Sequence, residues 1–214
     1  MKVLELFAGS CSFSKVASEM GMRTFTSDIE QFIRMEKGID YVEDVLNFDY
    51  SKVPFIPDII WASPPCTGFS VASISSHWTG GKGAYIPKSE TSKLGLKLLD
   101  KTIEIIQYYS VLNPNLIWFI ENPRGLMRKM PQMLGKYMED HRRTVTYCQY
   151  GDIRMKPTDI WTNSKWIPKP MCKNKDKCHI SAPRGSKTGT QGLKGSYERS
   201  KIPPRLCKEV LTNI

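Results

Sequence analysis

The sequence lacks an apolar run long enough to cross a lipid bilayer, which argues against a membrane-spanning protein. It also lacks internal repeats and heptads, which argues against solenoids and coiled coils. Residues 1–7 carry Glu5 within an apolar run, and no small-residue cleavage site follows. They therefore predict a strand rather than a signal peptide, and we expect a globular protein of the cytoplasm.

Acidic residues are also few, because 21 Asp and Glu stand against 31 Lys and Arg and leave a net charge of +10. This excess of positive charge favours a polyanionic partner such as nucleic acid. The six cysteines are spread through 214 residues, which argues against a disulfide scaffold. The length suits one domain with a sizeable core and a small appendage.

The chain opens with a strand–helix–strand pattern. A strand at 2–7 is followed by a turn of small residues at 8–12, a helix at 13–20 and a second strand that ends in Asp28. Small residues let a ligand approach the backbone, and an acid at this position can accept hydrogen bonds from ribose hydroxyls. Asp44, at the end of a predicted third strand, could accept from an adenine amino group, although a capping acid is the simpler explanation.

The stretch from Ile59 to Cys66 ends an apolar run abruptly in two prolines and a cysteine. Ile59 to Ala62 predicts a buried strand, and Pro64 and Pro65 would hold Cys66 rigidly at its carboxyl end. Ligands and chemistry gather at that end of an open α/β sheet. Taken alone, the pattern favours a small apolar cysteine packed under a proline turn.

A second apolar run, 116–120, ends in Glu121-Asn122-Pro123. Because Glu121 follows five apolar residues, we expect a partly desolvated carboxyl group that could donate a hydrogen bond when protonated. The alternative is an exposed acid at a strand end. The alternation of strands and helices along the chain predicts an α/β fold with a mostly parallel sheet.

Six other segments complete the prediction. Residues 67–92 suggest a long irregular loop, which would be either a lid or disordered. Residues 91–112 suggest a helix with Leu94, Leu98, Ile105 and Tyr109 on its buried stripe. Residues 144–149 and 159–163 suggest a pair of strands. Segment 164–196 is strongly basic, with eight Lys and Arg against Asp176, and 203–211 predicts a closing helix.

In this order and spacing, the motifs resemble the cytosine-C5 DNA methyltransferase family, and most of all its short phage-type members. The resemblance covers nearly the whole chain. It rests on Glu5–Gly9 as the S-adenosylmethionine motif, Pro64-Pro65-Cys66 as the nucleophile motif, Glu121-Asn122-Pro123, Tyr150-Gly151 with Arg154 and Lys156, and Ser200–Pro204 as the last motif. It implies a Rossmann-like S-adenosylmethionine-dependent methyltransferase fold, with helices on both faces of a mixed, mostly parallel sheet and a small basic irregular segment.

The resemblance also implies a mechanism. The target cytosine would be flipped out of the DNA, and Cys66 would add to C6 of the ring. Glu121, placed by Asn122, would hydrogen-bond the ring, while Arg154 or Lys156 would hold O2 or a phosphate. S-adenosylmethionine would donate the methyl group and leave as S-adenosylhomocysteine.

The implied binding residues fall into two sets. The cofactor set is Phe7, Ala8, Gly9, Ser10, Cys11, Ser12, Phe13, Asp28, Ile29, Asp44, Val45, Ser63, Pro64, Ser200 and Lys201. The DNA set is Ser70, Lys82, Lys88, Lys173, Lys175 and Arg184.

The chain departs from the family pattern in three places. Cys11 stands where the family usually has a glycine, Pro123 replaces a valine, and the arginine motif is degenerate. We expect a catalytic domain at 1–163, a reduced target-recognition segment at 164–196, and the last motif with its helix at 197–214, which would return to the catalytic domain and fold back onto the cofactor pocket. So small a recognition segment predicts a relaxed or very short target in double-stranded DNA, or a separate specificity partner, with the enzyme itself a monomer.

Two further alternatives stay open at this point. The same motifs would suit an RNA cytosine-C5 methyltransferase or a catalytically inactive nucleic-acid-binding relative. We expect no bound metal, although Cys172, Cys178 and His179 could form part of a zinc site with Cys148 or Cys207 as the fourth ligand.

Overall fold

A computed structural model describes residues 1–29, 38–81, 83–173, 176–181 and 195–214. Within them the chain forms nine strands and six α-helices, joined by short 3₁₀ turns. The strands are β1 (Lys2–Leu6), β2 (Arg23–Asp28), β3 (Tyr41–Val42), β4 (Ile59–Ala62), β5 (Trp78–Thr79), β6 (Ile86–Pro87), β7 (Ile117–Pro123), β8 (Arg142–Thr146) and β9 (Pro157–Thr162). The helices are α1 (Ser12–Glu19), α2 (Ile74–His77), α3 (Glu90–Leu112), α4 (Lys136–Asp140), α5 (Ser196–Ser200) and α6 (Pro204–Thr212).

Seven strands form one sheet in the order β3-β2-β1-β4-β7-β9-β8. Strand β9 is antiparallel to both neighbours, and the other pairs are parallel. The predicted mixed, mostly parallel sheet is therefore confirmed. The chain runs outward from β1 to β3 and then returns to β4, so the strand order reverses between β1 and β4, where α/β folds bind ligands.

Two apolar clusters lie on opposite faces of the sheet, because neighbouring residues of a strand point to opposite sides. Leu4 and Ile60 pack with α3 on one face. Val3 and Trp61 pack with α1 and α6 on the other, where the Phe13 ring stacks on Trp61 at 4.3 Å. Helices therefore cover both faces, as predicted, and β1, β4 and β7 are held in the middle of the core.

Two predictions about the middle of the chain were wrong. Segment 67–92 is not simply an irregular loop, since its described part forms 3₁₀ turns, α2 and a hairpin of β5 and β6. The Trp78 indole, 5% exposed, donates to the Gly68 carbonyl at 2.6 Å and anchors this segment. In α3, Leu98 is buried as predicted, but Leu94 is 46% exposed. The first turns of the helix bury Ser92 and Gly95 in place of Leu94.

No helix within the described ranges is both long and apolar enough to cross a membrane.

Strand β3 ends earlier than predicted, at Val42. Asp44 then caps a 3₁₀ turn by accepting the Leu46 N–H at 2.9 Å.

Candidate active site

The turn after β1 is tight and partly left-handed. Phe7, Gly9 and Cys11 have φ values of 55°, 48° and 49°, a region that favours glycine. Cys11 therefore has a left-handed backbone that a glycine would adopt more easily, and its side chain is buried. The Gly9 N–H donates to Asp28 Oδ2 at 2.6 Å, which joins the ends of β1 and β2.

Asp28 keeps the capacity to accept further hydrogen bonds. Its second oxygen accepts the Ile29 N–H at 2.6 Å, and each carboxylate oxygen can accept more than one bond. Burial raises the pKa of Asp28, against the lowering effect of these backbone bonds. Glu5 has a different role, because its carboxylate accepts the backbone N–H groups of Phe13 and Ser14. Complete desolvation raises its pKa to about 7.

The last motif folds back onto this turn. The Ile202 N–H donates to Ser12 Oγ at 3.1 Å, and Ser200 Oγ lies 4.0 Å from where a Cβ on Gly9 would be. Lys201 pairs instead with Glu198 at 2.8 Å. Residues near the two chain ends therefore line the same edge of the sheet.

The other residues of the predicted cofactor set occupy varied settings. Ala8, Ser10 and Val45 are buried, and Ile29 is exposed. Ser10 Oγ lies 2.6 Å from Ser12 Oγ, and Ser63 Oγ accepts the Trp61 indole N–H at 2.9 Å. Contact of any of these side chains with a cofactor stays a prediction.

Cys66 follows β4 and begins a 3₁₀ turn, with its carbonyl accepting the Phe69 N–H at 3.0 Å. The register of the sheet places Ala62 opposite Ile120, so Cys66 and Glu121 emerge from the same edge of neighbouring strands. Asn122 Nδ2 donates to the Pro64 carbonyl at 2.8 Å. Asn122 therefore ties the loop of the thiol to the strand of the acid.

The Cys66 side chain is exposed by area but sits in a recess, where nearby protein atoms displace water. This desolvation raises the pKa of the thiol above its ordinary value of 9.0, and the charge of Glu121 adds to the effect. The positive charges of Lys156 and Arg199 oppose it. The resting thiol is therefore protonated, with two cations placed to stabilise a thiolate.

Glu121 is 5% exposed, and its Oε1 accepts the Tyr147 hydroxyl at 2.9 Å. Sequence reasoning missed Tyr147, because it lies in a segment that predicted only a strand. The signal available was a polar aromatic residue beside the degenerate arginine motif. The Tyr147 ring also lies 4.7 Å from Lys156 Nζ, so it contacts both the acid and the cation.

The two candidate cations of the arginine motif differ. Arg154 is 2% exposed, pairs with Asp152 and donates to the Arg199 and Lys201 carbonyls at 3.1 and 3.4 Å. The role that we expected for Arg154 does not suit this setting, because its donors are already engaged inside the protein. It holds the last motif against the catalytic domain instead.

Lys156 is the cation that faces the site. Desolvation lowers its pKa, while the charges of Glu121 and Cys66 act in the opposite direction. Its Nζ donates to the Arg199 carbonyl at 3.0 Å, and its backbone has a strained φ of 28°. Arg199 was missed as well, although it directly precedes the Ser200-Lys201 pair that the sequence singled out.

Three of the six predicted DNA contacts lie within the described residues. Lys88 and Lys173 are exposed and Ser70 is half-buried, whereas Lys82, Lys175 and Arg184 lie outside the described residues. The predicted boundary at 164 is not visible as a loss of packing. Trp166 is buried in the core and its indole donates to Glu209 at 3.2 Å.

The chain was compared with known proteins. It is 31% identical over 231 aligned residues, covering 99% of both chains, to a Frog virus 3 (isolate Goorha) protein named "Probable DNA (cytosine-5)-methyltransferase". No family model matches. Among solved structures, the Entamoeba histolytica methyltransferase EhMeth shares 12% identity over 76% of this chain and 52% of its own, with a TM-score of 0.47. Spodoptera frugiperda DNMT2 shares 18% sequence identity with this chain, over 78% of this chain and 52% of its own length, with a TM-score of 0.45. The chain thus spans about half the length of these solved structures.

Proposed function

This chain belongs to the DNA cytosine-5-methyltransferase family, and on that premise we propose that it methylates C5 of cytosine in DNA through a covalent adduct with Cys66. The observation that carries the proposal is the shared sheet edge at which Cys66, Glu121 and Lys156 meet. An exposed thiol beside a buried acid and a cation suits nucleophilic attack on a ring that gains negative charge.

The cofactor site that we propose lies at the carboxyl ends of β1 and β2. Asp28 would accept hydrogen bonds from ribose hydroxyls, and the backbone of Gly9 leaves space for a ligand that a side chain would reduce. Ser200 would close this site from the last motif. S-adenosylmethionine, when bound there, supplies the methyl group and becomes S-adenosylhomocysteine.

The chain's own residues would then act on the flipped cytosine. Cys66 Sγ bonds to C6, and the electron pair of the C5–C6 double bond moves onto C5 and the ring. Glu121 hydrogen-bonds N3 and the exocyclic amine, while Lys156 offsets the developing negative charge. After C5 has gained its methyl group, the C5 proton leaves to a base or water and the Cys66–C6 bond breaks.

The resting thiol must lose its proton before it can attack. Its pKa is raised in the free protein, so thiolate formation would accompany substrate binding rather than precede it. Lys156 and Arg199 oppose that rise, and closure of DNA over the recess would strengthen both interactions by excluding water.

Target choice would rest on few contacts. We propose a monomer that binds double-stranded DNA mainly through phosphates, with a short or relaxed target sequence or a separate specificity partner. All six cysteines, each within the described part of the chain, are unbridged, which is compatible with the cytoplasm that we expect. Bisulfite sequencing of methylated DNA would test the target, and a long, strictly specified sequence would contradict it.

Trapping on DNA that contains 5-fluorocytosine tests the chemistry. Fluorine blocks loss of the C5 substituent, so wild-type protein with cofactor should stay covalently attached to the DNA, and Cys66→Ser should not. Absence of the adduct would overturn the covalent mechanism and favour an inactive binding protein. Parallel reactions with transfer RNA should be far slower than with duplex DNA, and the reverse ranking would assign RNA as the substrate.

A further inference from the structure

Three cysteines and one histidine meet at a point that the proposed chemistry does not use. Cys148, Cys172, Cys178 and His179, the four-ligand cluster, have one ligand atom each within 4.8 Å of all the others. Cys148 lies in the 3₁₀ turn after β8, and the other three lie in the basic segment. Cys207, the other fourth ligand that the sequence allowed, is buried in α6 within a separate core cluster.

Three of the six separations between ligand atoms in the cluster match those of a tetrahedral zinc site. Cys178 Sγ lies 3.6 Å from Cys148 Sγ and 3.6 Å from His179 Nδ1, and Cys172 Sγ lies 3.7 Å from the same nitrogen. Zinc bonds of about 2.3 Å to sulfur and about 2.0 Å to nitrogen place tetrahedral ligand atoms about 3.5–3.8 Å apart. The pair Cys148 and Cys172 is closer, at 3.1 Å.

We propose that the four-ligand cluster binds one Zn²⁺ ion. Three soft thiolates and one imidazole form a Cys₃His set, which selects zinc over the hard cations that prefer oxygen ligands. All four positions are filled by protein, so the ion is structural and leaves no site for water or substrate. A disulfide between Cys148 and Cys172 explains the geometry less well. The distance of 3.1 Å between their sulfur atoms exceeds a sulfur–sulfur bond of about 2.05 Å. Such a disulfide would also leave the positions of Cys178 and His179 unexplained.

The ion fastens the basic segment to the catalytic domain. Two backbone contacts already flank the cluster: the Cys172 N–H donates to Thr146 Oγ1 at 3.1 Å, and the Ile180 N–H to the Ile153 carbonyl at 2.9 Å. Cys148 directly follows Tyr147, the residue that binds Glu121. Zinc would therefore fix the position of a DNA-facing segment with respect to the catalytic acid, in a region with too few large apolar residues to fix itself.

Metal analysis of protein purified without chelators tests the proposal and does not depend on methyl transfer. Wild-type protein should carry about one zinc per chain by mass spectrometry of the native protein. Cys172→Ser and Cys178→Ser should lose most of it, and Cys66→Ser, which alters an exposed cysteine outside the cluster, should retain it. A zinc-free wild type whose three cluster cysteines are reduced, or one with a Cys148–Cys172 disulfide, would overturn the proposal.

Cobalt substitution covers the case in which the serine variants do not fold. Wild-type protein stripped of metal and loaded with Co²⁺ should show the intense visible bands of a tetrahedral thiolate site, and equimolar Zn²⁺ should abolish them. Bands of weak octahedral type would count against the cluster. A chelator should also lower the Tm of wild type and of Cys66→Ser by several degrees, and an unchanged Tm would contradict a structural ion.

Discussion

The Cys66 site and the four-ligand cluster both depend on cysteine, yet their neighbours differ. Cys66 stands alone in a recess with a carboxyl group and a cation, and its sulfur has no other thiol beside it among the described residues. In the cluster, three sulfurs and a ring nitrogen face one another. A single thiol is free to attack a carbon atom, whereas several thiols that face one point can coordinate a metal ion. The environment, rather than the residue type, decides which chemistry a cysteine performs.

Two adjacent residues join these regions. Tyr147 donates to Glu121 at 2.9 Å, and Cys148 belongs to the cluster. The side chains of neighbouring residues here point to different sites, so one short turn touches both. We therefore expect that a mutation can affect one region without the other. A substitution at Tyr147 should remove the contact between the turn and Glu121 and leave the cluster intact.

Replacing the nucleophile should separate the regions most sharply. Cys66→Ser should reduce methyl transfer by on the order of 10³-fold or more, because serine is a far weaker nucleophile and the attack begins every turnover. Incorporation of labelled methyl groups into duplex DNA would measure this loss. Zinc content and Tm should match wild type, and a parallel loss of zinc would show that the two regions are one.

The second largest effect should come from disturbing the contact between the loop after β4 and the loop after β7. A Cβ on Gly125 would lie 2.5 Å from the Phe69 carbonyl oxygen, so Gly125→Ala must displace the loop that carries Cys66. We expect about a hundredfold loss of kcat and a destabilisation of about 1–3 kcal/mol, measured by kinetics and urea unfolding. Gly38→Ala is the matched control, because its Cβ would meet nothing within 4 Å. Equal effects in both variants would refute the proposed strain.

Removing the hydrogen bond between Tyr147 and Glu121 should lower kcat by a smaller factor. Tyr147→Phe removes the hydroxyl that donates to Glu121 and keeps the ring beside Lys156. A hydrogen bond to a carboxyl group contributes about 1.5 kcal/mol, so kcat should fall about tenfold with KM for DNA almost unchanged. A variant with normal kcat but a lower Tm would make Tyr147 purely structural.

The smallest effect should come from the cation. Lys156 opposes the rise in the pKa of Cys66, so Lys156→Met should raise that pKa further. The thiolate fraction at a fixed pH then falls, and alkylation of Cys66 by iodoacetamide near pH 8 should slow several-fold in the DNA-free protein. In both proteins the rate should climb with pH until it passes the pKa of the thiol. Lys52→Met, an exposed lysine in another turn, should leave the profile unchanged.

Local pattern predicted much of the fold. Residues Ile59 to Ala62 formed the expected strand at the expected ends, because an apolar run between turn formers has one stable way to bury itself. The return of the last motif to the first was also expected and is seen in the bond between Ile202 and Ser12. Segment 67–92 was misjudged, because its Gly and Ser content concealed the anchoring role of Trp78.

The sequence by itself determined strands β1, β2, β4 and β7, the cysteine that follows two prolines, the acid at the end of β7, and the family. The tertiary structure decided which distant side chains meet: Lys156 rather than Arg154 faces Cys66, Tyr147 holds Glu121, and Cys148 completes the four-ligand cluster. The physical reason is the distance along the sequence over which each effect acts. Apolar periodicity and turn chemistry act over a few residues, whereas strand register and the return of the chain set contacts between residues far apart in sequence.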